Sequence, residues 1–477
     1  MNAQLRRSFY VFVAGFVALV AMMAYWQVYA RESLANNPNN SLQTRRSLEA
    51  PRGLILAGDG ETVLARSDKR ETSTGTVYDR VYPQGDLYSN IVGYWSVKYG
   101  ATGIEIGENS TLSGNSDPAT LDELINQISG GPQAGNNVEL TLDPNLQRVA
   151  YDGLAASNTG QGSAVAIDPK TGDILAMVSY PSFDANNIDE RFQELQQDPN
   201  KPLLNRATQG LYTPGSVMKV ITAAAALKAG VKPTDIFFDS GRYETPGYTV
   251  VNYGDASYGR VTFAQALALS INVVFAKVAV EDIGAQLLYD TAKNFGFGDT
   301  YENFPLEINP STLGVPVSDM VGGTLAQTSF GQDRVQSNVF EFANVAAAIA
   351  NDGRMMEPRI VKEIRSPEGI ILDKPAPSTR ADVIDRETAL TLQDMMVGVV
   401  DEGSATGAQI PGVKVAGKTG TAEVPPRDPN SWFIAFAPAD DPKIAVAVLV
   451  ENGGDGEKQA LPIARQIIEA SLKTGGG

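Results

Sequence analysis

A serine and a lysine three residues apart, Ser216 and Lys219, are the residues of this chain whose types and spacing most directly suggest chemistry. On a helix, positions i and i+3 lie on the same face, so the lysine amine can reach the serine hydroxyl and take its proton. The chain has no His and no Cys. This composition excludes Ser-His-Asp triads, thiol nucleophiles and His-ligated zinc, and leaves lysine as the obvious activator of a serine nucleophile.

The Ser-x-x-Lys spacing arises by chance about once or twice in a chain of this length, so it needs partners. Ser270 and Asn272 lie in TFAQALALSINVVFAKVAV, which is predicted to be helical. Lys418-Thr419-Gly420 lies in VKVAGKTGTAEV, which is predicted to be a strand whose glycines would let a ligand backbone approach closely. The alternative for each motif is that its polar groups only satisfy nearby backbone groups.

Similar motifs occur elsewhere in the chain. Lys170-Thr171-Gly172 lies in a predicted hairpin turn, and Lys473-Thr474-Gly475 lies in the C-terminal tail. Turn and tail positions explain these residues without catalysis. Ser113-Gly114-Asn115 likewise has the composition of a turn. We therefore expect Lys418, and neither Lys170 nor Lys473, to belong to a site with Ser216.

The overall charge bears on possible partners. The formal net charge is −17, and the sequence contains no long Lys/Arg run, which argues against nucleic acid as a partner because phosphate binding needs a basic surface. A length of 477 residues suggests roughly three domains. The absence of cysteine fits either a reducing compartment or an exported protein without disulfides.

The N-terminal region contains an uncharged run of 21 residues from Phe9 to Tyr29, long enough to cross a hydrocarbon core of about 30 Å as a helix. Arg6 and Arg7 precede it, and aromatic residues gather at its far end. A cleaved signal peptide is the alternative, but such peptides usually have a shorter apolar core and an A-x-A site. We expect an uncleaved anchor, with residues 1–8 cytoplasmic and the bulk of the chain extracytoplasmic.

Breaks in composition divide the rest of the chain. Asn36 to Ser41 is predicted to be a linker, and a second break lies at Gly130 to Asn137. Residues 30–155 show short strand-like runs and turns, which predict a small β-rich pedestal domain. Residues 156–477 contain long apolar segments of both periods, which predict a larger domain. The fold class is therefore α+β, with a mainly antiparallel sheet packed against a helical cluster.

Individual elements of the larger domain can also be predicted. Pro214-Gly215 should open a buried helix that Gly230 ends. Ser163–Ile167 and Ile174–Val178 are predicted to form a hairpin. Three further strands are predicted at Val413–Val424, Trp432–Ala437 and Ile444–Val450, with turns at Asp428-Pro429-Asn430 and Asp440-Asp441-Pro442. A last helix should cover roughly Ala460 to Leu472.

In this order, Ser-x-x-Lys, Ser-x-Asn and Lys-Thr-Gly resemble the motif set of penicilloyl serine transferases, the family of β-lactamases and penicillin-binding proteins. Longer segments are similar to the transpeptidase domain of penicillin-binding proteins: GSAVAIDPKTGDILAMVSYPSFDANN, NRATQGLYTPGSVMKV, ANDGRMMEPRIV and VAGKTGTAEV. The earlier segment resembles the pedestal of class B members through Pro51-Arg52-Gly53, Tyr82-Pro83-Gln84-Gly85, Gly93-Tyr94 and Thr102-Gly103-Ile104-Glu105. The short length of this pedestal segment resembles that of the actinobacterial PbpA type. One departure is Asp333 in Gly331-Gln332-Asp333, where relatives usually carry Gly.

The resemblance implies a D,D-transpeptidase that cross-links peptidoglycan stem peptides during growth or division, is acylated by β-lactams, and needs no metal or cofactor. Ser216 would be the nucleophile, Lys219 its base and Ser270 the donor of a proton to the leaving amine. Burial and the charge of Lys418 should lower the pKa of Lys219. By the same resemblance, the backbone N–H groups of Ser216 and Thr421 would form the oxyanion hole.

The resemblance also assigns substrate contacts. Asn272 would hold a substrate amide, and the group Lys418, Thr419, Gly420 and Thr421 would hold the terminal carboxylate. The implied partners are stem peptides, β-lactams, the cell membrane and a multi-span SEDS-family glycan polymerase of the RodA/FtsW type, with no nucleic acid.

Three other functions stay open from the sequence. A carboxypeptidase or β-lactamase would pass the acyl group to water, although the anchor and pedestal argue against a lactamase. A β-lactam sensor would need a further signalling part, and eight residues before the span are too few. A catalytically silent division scaffold is the non-enzyme alternative, against which the intact Ser216, Lys219 and Lys418 argue.

Overall fold

The computed structural model describes residues 3–26, 48–73, 75–114 and 133–474. Its first helix, Ala3–Ala24, contains a stretch from Arg6 to Ala24 that is long and apolar enough to cross a membrane and is not buried against the protein. The predicted anchor overlaps this helix and begins at Phe9. Its last residues, 27–29, and the predicted linker at 36–41 lie outside the described residues.

The pedestal is built around a six-stranded sheet, which confirms the prediction of a β-rich module. Two of its strands come from far along the chain: Val361–Arg365 pairs antiparallel with Asn137–Leu140, and Ile371–Asp373 adds beyond it. The order across the sheet is Ile371–Asp373, Val361–Arg365, Asn137–Leu140, Ile55–Leu56, Val63–Thr72 and Gly75–Val81. The smaller elements are the helices Ser89–Val92, Gly103–Gly107 and Asn109–Leu112 and the strand pair Trp95–Ser96 and Gly100–Ala101.

A buried ion cluster holds this pedestal together and uses residues of the motifs quoted above. Glu105 is fully buried and accepts hydrogen bonds from Arg52 Nη2 at 2.9 Å and Arg80 Nε at 2.6 Å. Burial alone would raise the pKa of Glu105, but the charges of Arg80 and Arg52 outweigh it and lower that pKa. Removing one partner would leave a buried charge uncompensated. A structural role therefore explains why Arg52 and Glu105 occur in these motifs.

The larger domain is organised by a five-stranded antiparallel sheet, which we call the central sheet. Its order is Ala416–Val424, Arg427–Ala437, Ile444–Val450, Gly162–Ile167 and Ile174–Tyr180. The predicted hairpin is confirmed, with Val165 opposite Met177. All seven residues of Ile444–Val450 are buried, as expected for a strand that is covered on both faces. The helices Val339–Ala350 and Ala460–Thr474 both pack on this strand.

The predicted turn at Asp428-Pro429-Asn430 is wrong. Strand Arg427–Ala437 includes these residues, and the turn falls at Pro425-Pro426 instead. Asn430 pairs with Ala422 across the hairpin, while pairing with Ile444–Val450 begins only at Ser431. Pro429 therefore lies where its strand has a neighbour on one side only, and a proline without an N–H is tolerated there.

Helix Pro144–Ala155 lies at the end of the predicted pedestal segment but packs against strand Ile174–Tyr180 and helix Ala460–Thr474. The side chain of Gln147 makes two hydrogen bonds with the backbone of Met177, donating to its oxygen at 2.9 Å and accepting from its nitrogen at 3.0 Å. This helix therefore joins the two parts of the chain.

The helical cluster packs beside the central sheet. The single helix predicted around Ser270 is wrong, because the chain forms two helices, Phe263–Ala268 and Asn272–Val278, with Ser270 between them. The other helices of the cluster are Lys219–Lys228, Gly284–Asn294, Gly323–Ser329 and Arg386–Asp401. Helix Ile188–Gln197 contacts the pedestal instead, where Phe192 stacks on Tyr99. The remaining strands form three pairs: Ile236–Asp239 with Gly259–Thr262, Arg242–Thr245 with Tyr248–Val251, and Arg354–Met356 with Thr379–Asp382.

Candidate active site

Ser216 lies in a 3₁₀ turn, Gly215–Met218, that leads directly into helix Lys219–Lys228. The predicted helix is confirmed, and its first turn is tighter than an α-helix. Lys219 is fully buried, and its Nζ lies 3.1 Å from Ser216 Oγ. Ser216 is the second residue of the turn, so its backbone N–H has no acceptor within the helix and remains available to a ligand.

The break between the two helices gives Ser270 an unusual backbone. Its φ is +58°, in the left-handed region that non-glycine residues rarely adopt. This conformation costs about 1–2 kcal/mol, and residues strained in this way cluster at active sites and ligand-binding sites. It brings both Ser270 oxygens to Lys219, whose Nζ lies 2.6 Å from the carbonyl oxygen and 3.1 Å from the hydroxyl.

Asn272, the first residue of the second helix, also contacts Lys219. Its Oδ1 accepts a hydrogen bond from Lys219 Nζ at 2.7 Å, and its Nδ2 donates to the backbone oxygen of Val251 at 3.1 Å. Both ends of the amide are therefore occupied, which fixes its orientation. The contact of Asn272 with a substrate amide stays a prediction.

Lys418 lies on strand Ala416–Val424, as predicted, at the edge of the central sheet. Its side chain is fully buried, and Nζ donates to Ser270 Oγ at 2.9 Å and to the Thr419 backbone oxygen at 3.1 Å. At Gly420 a Cβ atom would lie 3.0 Å from the Pro214 oxygen and 3.1 Å from Val217 Cγ1. Glycine there lets the strand lie directly against the turn that carries the serine.

Two threonine hydroxyls follow Lys418 on this strand. Thr419 Oγ1 lies 2.9 Å from Ser404 Oγ, and either hydroxyl can donate. Thr421 Oγ1 accepts a hydrogen bond from the backbone N–H of Gly456 at 3.3 Å. The structure thus brings together, on elements that pack against one another, the predicted residues Ser216, Lys219, Ser270, Asn272, Lys418, Thr419, Gly420 and Thr421.

The environment of the two lysines lowers the pKa of both amines, and lowers that of Lys219 more. Burial lowers the pKa of Lys219 well below its usual 10.5, and the positive charge of Lys418 lowers it further. Burial lowers the pKa of Lys418 to about 7. A neutral amine has two N–H donors and one lone pair. When Ser270 and Asn272 accept the two protons, the lone pair of Lys219 remains for the Ser216 hydroxyl.

The other motif copies lie elsewhere. Lys170 is in the hairpin turn and pairs with Asp441 at 2.5 Å. Lys473 is exposed at the end of the last helix. Ser113 and Gly114 form a turn in the pedestal, and the third residue of that motif lies outside the described residues.

The departure at Asp333 does not change the loop geometry expected of a glycine, because Asp333 has a φ of +62°. Aspartate tolerates this left-handed conformation better than most residues. Ser404 and Gly456 were missed by sequence reasoning. Neither lies in a recognised motif, and only the folded chain brings them to the threonines.

Comparisons with known proteins identify the family of this chain. The family model described as "Penicillin binding protein transpeptidase domain" matches residues 162–469, and the model "Penicillin binding protein A dimerisation domain" matches residues 52–138. The chain belongs to the penicillin-binding protein transpeptidase family.

Particular relatives can be named. Over the full length of both chains, this chain is 37% identical to the peptidoglycan D,D-transpeptidase PbpA of Mycolicibacterium smegmatis. It is 35% identical to PbpA of Mycobacterium tuberculosis, with 99% of each chain covered.

Solved structures show the same similarity. The ceftriaxone acyl-enzyme complex of penicillin-binding protein A from M. tuberculosis matches with a TM-score of 0.83 and 34% identity, covering 90% of this chain and 100% of that one. A D,D-transpeptidase domain from Eggerthella lenta matches with a TM-score of 0.80 and 36% identity, covering 90% and 99%.

Proposed function

We propose that this chain is a class B peptidoglycan D,D-transpeptidase that cross-links stem peptides through an acyl-enzyme on Ser216. The observation that carries the proposal is the buried Lys219 amine, 3.1 Å from Ser216 Oγ and with a lowered pKa. Relatives that are 35–37% identical are named as peptidoglycan D,D-transpeptidases, and one solved relative is an acyl-enzyme with a β-lactam.

In the acylation step, neutral Lys219 takes the proton of Ser216 as Oγ attacks the carbonyl between the two terminal D-alanines. The carbonyl oxygen becomes an oxyanion, which the N–H groups of Ser216 and Thr421 stabilise. Each such donor typically contributes about 3 kcal/mol. The Oγ–C bond forms and the C–N bond breaks. The proton reaches the departing D-alanine amine through Ser270, whose hydroxyl lies 3.1 Å from Lys219 Nζ.

Substrate binding uses the edge strand. The protonated amine of Lys418 attracts the terminal carboxylate, and the hydroxyls of Thr419 and Thr421 donate to it. Gly420 keeps the strand close to the Ser216 turn, so the carboxylate and the scissile carbonyl are held together. The side-chain amide of Asn272 binds an amide group of the substrate. In the second step an amine from a neighbouring stem attacks the ester carbonyl, a C–N bond forms as the C–Oγ bond breaks, and the proton of the amine returns to Ser216 Oγ.

Labelling with fluorescent penicillin, followed by mass spectrometry of the labelled peptide, tests the nucleophile. We expect one adduct, on Ser216, and none on the Ser216→Ala variant. An adduct that persists on the variant, or that forms on Ser270 in the parent, would contradict the assignment. Incubation with stem peptides then separates transfer from hydrolysis, because a transpeptidase yields cross-linked dimers whereas a D,D-carboxypeptidase yields only shortened monomers.

We propose the domain boundaries 1–8 for a cytoplasmic tail, 9–29 for a single-pass membrane anchor, 30–155 for the pedestal and 156–477 for the extracytoplasmic transpeptidase domain. The exposed apolar helix ending at Ala24 supports the anchor. We further propose that this helix and the pedestal contact a SEDS-family glycan polymerase.

A helix exchange tests that partner. Deleting the pedestal would be a poor test, because Val361–Arg365 would lose the strand Asn137–Leu140 with which it pairs. Replacing residues 9–26 by an unrelated membrane-spanning helix leaves the sheet intact. We expect penicillin labelling to persist while support of wall growth falls. Full growth with the foreign helix would show that the native helix is only an anchor.

A further inference from the structure

Ser404 connects two elements of the site, the edge strand and the turn before Ser270, and belongs to none of the three motifs. It follows helix Arg386–Asp401 and is partly exposed. Its hydroxyl lies 2.9 Å from Thr419 Oγ1 on the edge strand. Its backbone N–H donates to the oxygen of Ala268 at 2.9 Å, two residues before Ser270. Ser404 therefore ties the strand that carries Lys418 to the turn that carries Ser270.

The backbone around Ser404 is fixed by close packing. A Cβ atom on Gly403 would lie 2.3 Å from the Ala268 oxygen, so only glycine allows this approach. On the other side, the N–H of Ala405 donates to the Val399 oxygen at 3.0 Å. The backbone of Ser404 is thus held where its hydroxyl can reach Thr419 Oγ1.

A hydroxyl carries only one proton, and its direction decides what Thr419 can offer a ligand. When Ser404 donates to Thr419 Oγ1, the Thr419 proton stays free for an anionic acceptor. In the reverse arrangement Thr419 donates its only proton to Ser404, so only its oxygen lone pairs face the ligand. Thr419 can donate to a carboxylate only when Ser404 donates to Thr419, and this charge-assisted bond is roughly twice as strong as one to the neutral oxygen of an ester.

Thr421 has the same hydrogen-bond arrangement, but here the donor and acceptor cannot exchange roles. Its Oγ1 accepts from the N–H of Gly456 at 3.3 Å, and a backbone N–H cannot reverse its role. The Thr421 proton is thereby left free on the same strand. Ser404 supplies a hydrogen-bond donor to Thr419 Oγ1, as the Gly456 backbone does to Thr421 Oγ1.

We propose that Ser404 is a positioning residue that orients the Thr419 hydroxyl as a donor and so makes the site selective for ligands with a free carboxylate. The inference rests on the proposed function, because it needs the carboxylate of a stem peptide or a β-lactam to occupy this strand. It concerns Ser404 alone and does not depend on which amine accepts the acyl group.

The test compares benzylpenicillin with its methyl ester, which has the same reactive ring but no free carboxylate. Second-order acylation rates are measured on the full chain for the parent and for Ser404→Ala, Ser404→Thr, Thr419→Ala and the double variant. Alanine keeps the backbone bond to Ala268, and thermal melting checks that each variant is folded. For Ser404→Ala we expect about a tenfold slower reaction with benzylpenicillin, the size expected for a hydrogen bond that serves a charged group, and less than a twofold change with the ester.

Two further results are expected: Ser404→Thr retains the parental rate, and the double variant is no slower than Thr419→Ala. Equal slowing of penicillin and ester in Ser404→Ala would overturn the proposal, since it indicates a general structural role. Additive losses in the double variant would also overturn it, because Ser404 would then act independently of Thr419. A parent chain that penicillin does not acylate would instead refute the proposed function, and the role of Ser404 with it.

Discussion

The amine of Lys418 lies 2.9 Å from the hydroxyl of Ser270, the same hydroxyl that lies 3.1 Å from the amine of Lys219. One serine thus joins two fully buried lysines. Two positive charges held this close in a buried site repel each other strongly, so the arrangement favours a neutral amine at one of them. Lys219, whose pKa is lowered by both burial and Lys418, is that amine. In the proposed mechanism the pair thereby separates the base, Lys219, from the charge that binds the carboxylate, Lys418.

The neutral-base role of Lys219 is tested by Lys219→Arg. Arginine keeps a positive charge but does not lose its proton in a protein, so it cannot take the serine proton. We expect penicillin acylation to fall by about 10³-fold, within the range for loss of a general base, while the fold survives. Stopped-flow acylation rates measure the effect. Lys228→Arg, at the exposed end of the same helix, is the control and should be unchanged. Near-parental acylation of Lys219→Arg would mean that the base lies elsewhere.

The pH dependence of acylation should differ between charged and uncharged ligands. The pKa of Lys418 is lowered to about 7, so its charge is present below that pH and is lost as the pH rises through it. Attraction of a ligand carboxylate should fall in the same direction. We expect the benzylpenicillin rate to decline above about pH 7 and the methyl ester rate to show no such decline. Matching alkaline declines for both ligands would assign the titration to another group.

The choice among the three Lys-Thr-Gly copies is tested by alanine substitution. Lys418→Ala removes the buried charge at the edge strand and should slow penicillin acylation at least tenfold, as expected for loss of a charge-assisted contact. Lys170→Ala and Lys473→Ala remove exposed amines and should leave the rate within twofold. Loss of acylation in a folded Lys170→Ala variant would show that the wrong copy was chosen.

The backbone strain at Ser270 can be measured with a matched pair of substitutions. Ser270→Gly and Ser270→Ala both remove the hydroxyl, but only glycine is free of the cost of a φ of +58°. We expect the glycine variant to be more stable than the alanine variant by about 1 kcal/mol in chemical denaturation. Equal stabilities would indicate that the turn relaxes when the hydroxyl is lost. Both variants should acylate more slowly than the parent.

The helix and strand predictions succeeded where a periodic pattern and a clear boundary residue coincide. The buried helix after Pro214 and the hairpin around Asp168 to Asp173 are examples. The predictions failed where tertiary pairing overrides local composition. Asp428-Pro429-Asn430 has the composition of a turn, yet these residues continue a strand because Ala416–Val424 pairs with them. The strand Val361–Arg365, which crosses into the pedestal sheet, has no signal in its own sequence that names its partner.

For the site itself, the sequence alone was enough to predict the chemistry. Because the chain has no His or Cys, the residue types predict a serine nucleophile activated by a lysine base. The i+3 spacing places Lys219 beside Ser216. Only the tertiary structure decided the rest. The left-handed turn at Ser270, the shared contact between two lysines and the bond from Ser404 to Thr419 each join residues more than ten positions apart or break a local helical pattern. Such contacts depend on how a whole sheet edge packs against a helical cluster, and the free energy of that packing is not encoded in any one segment.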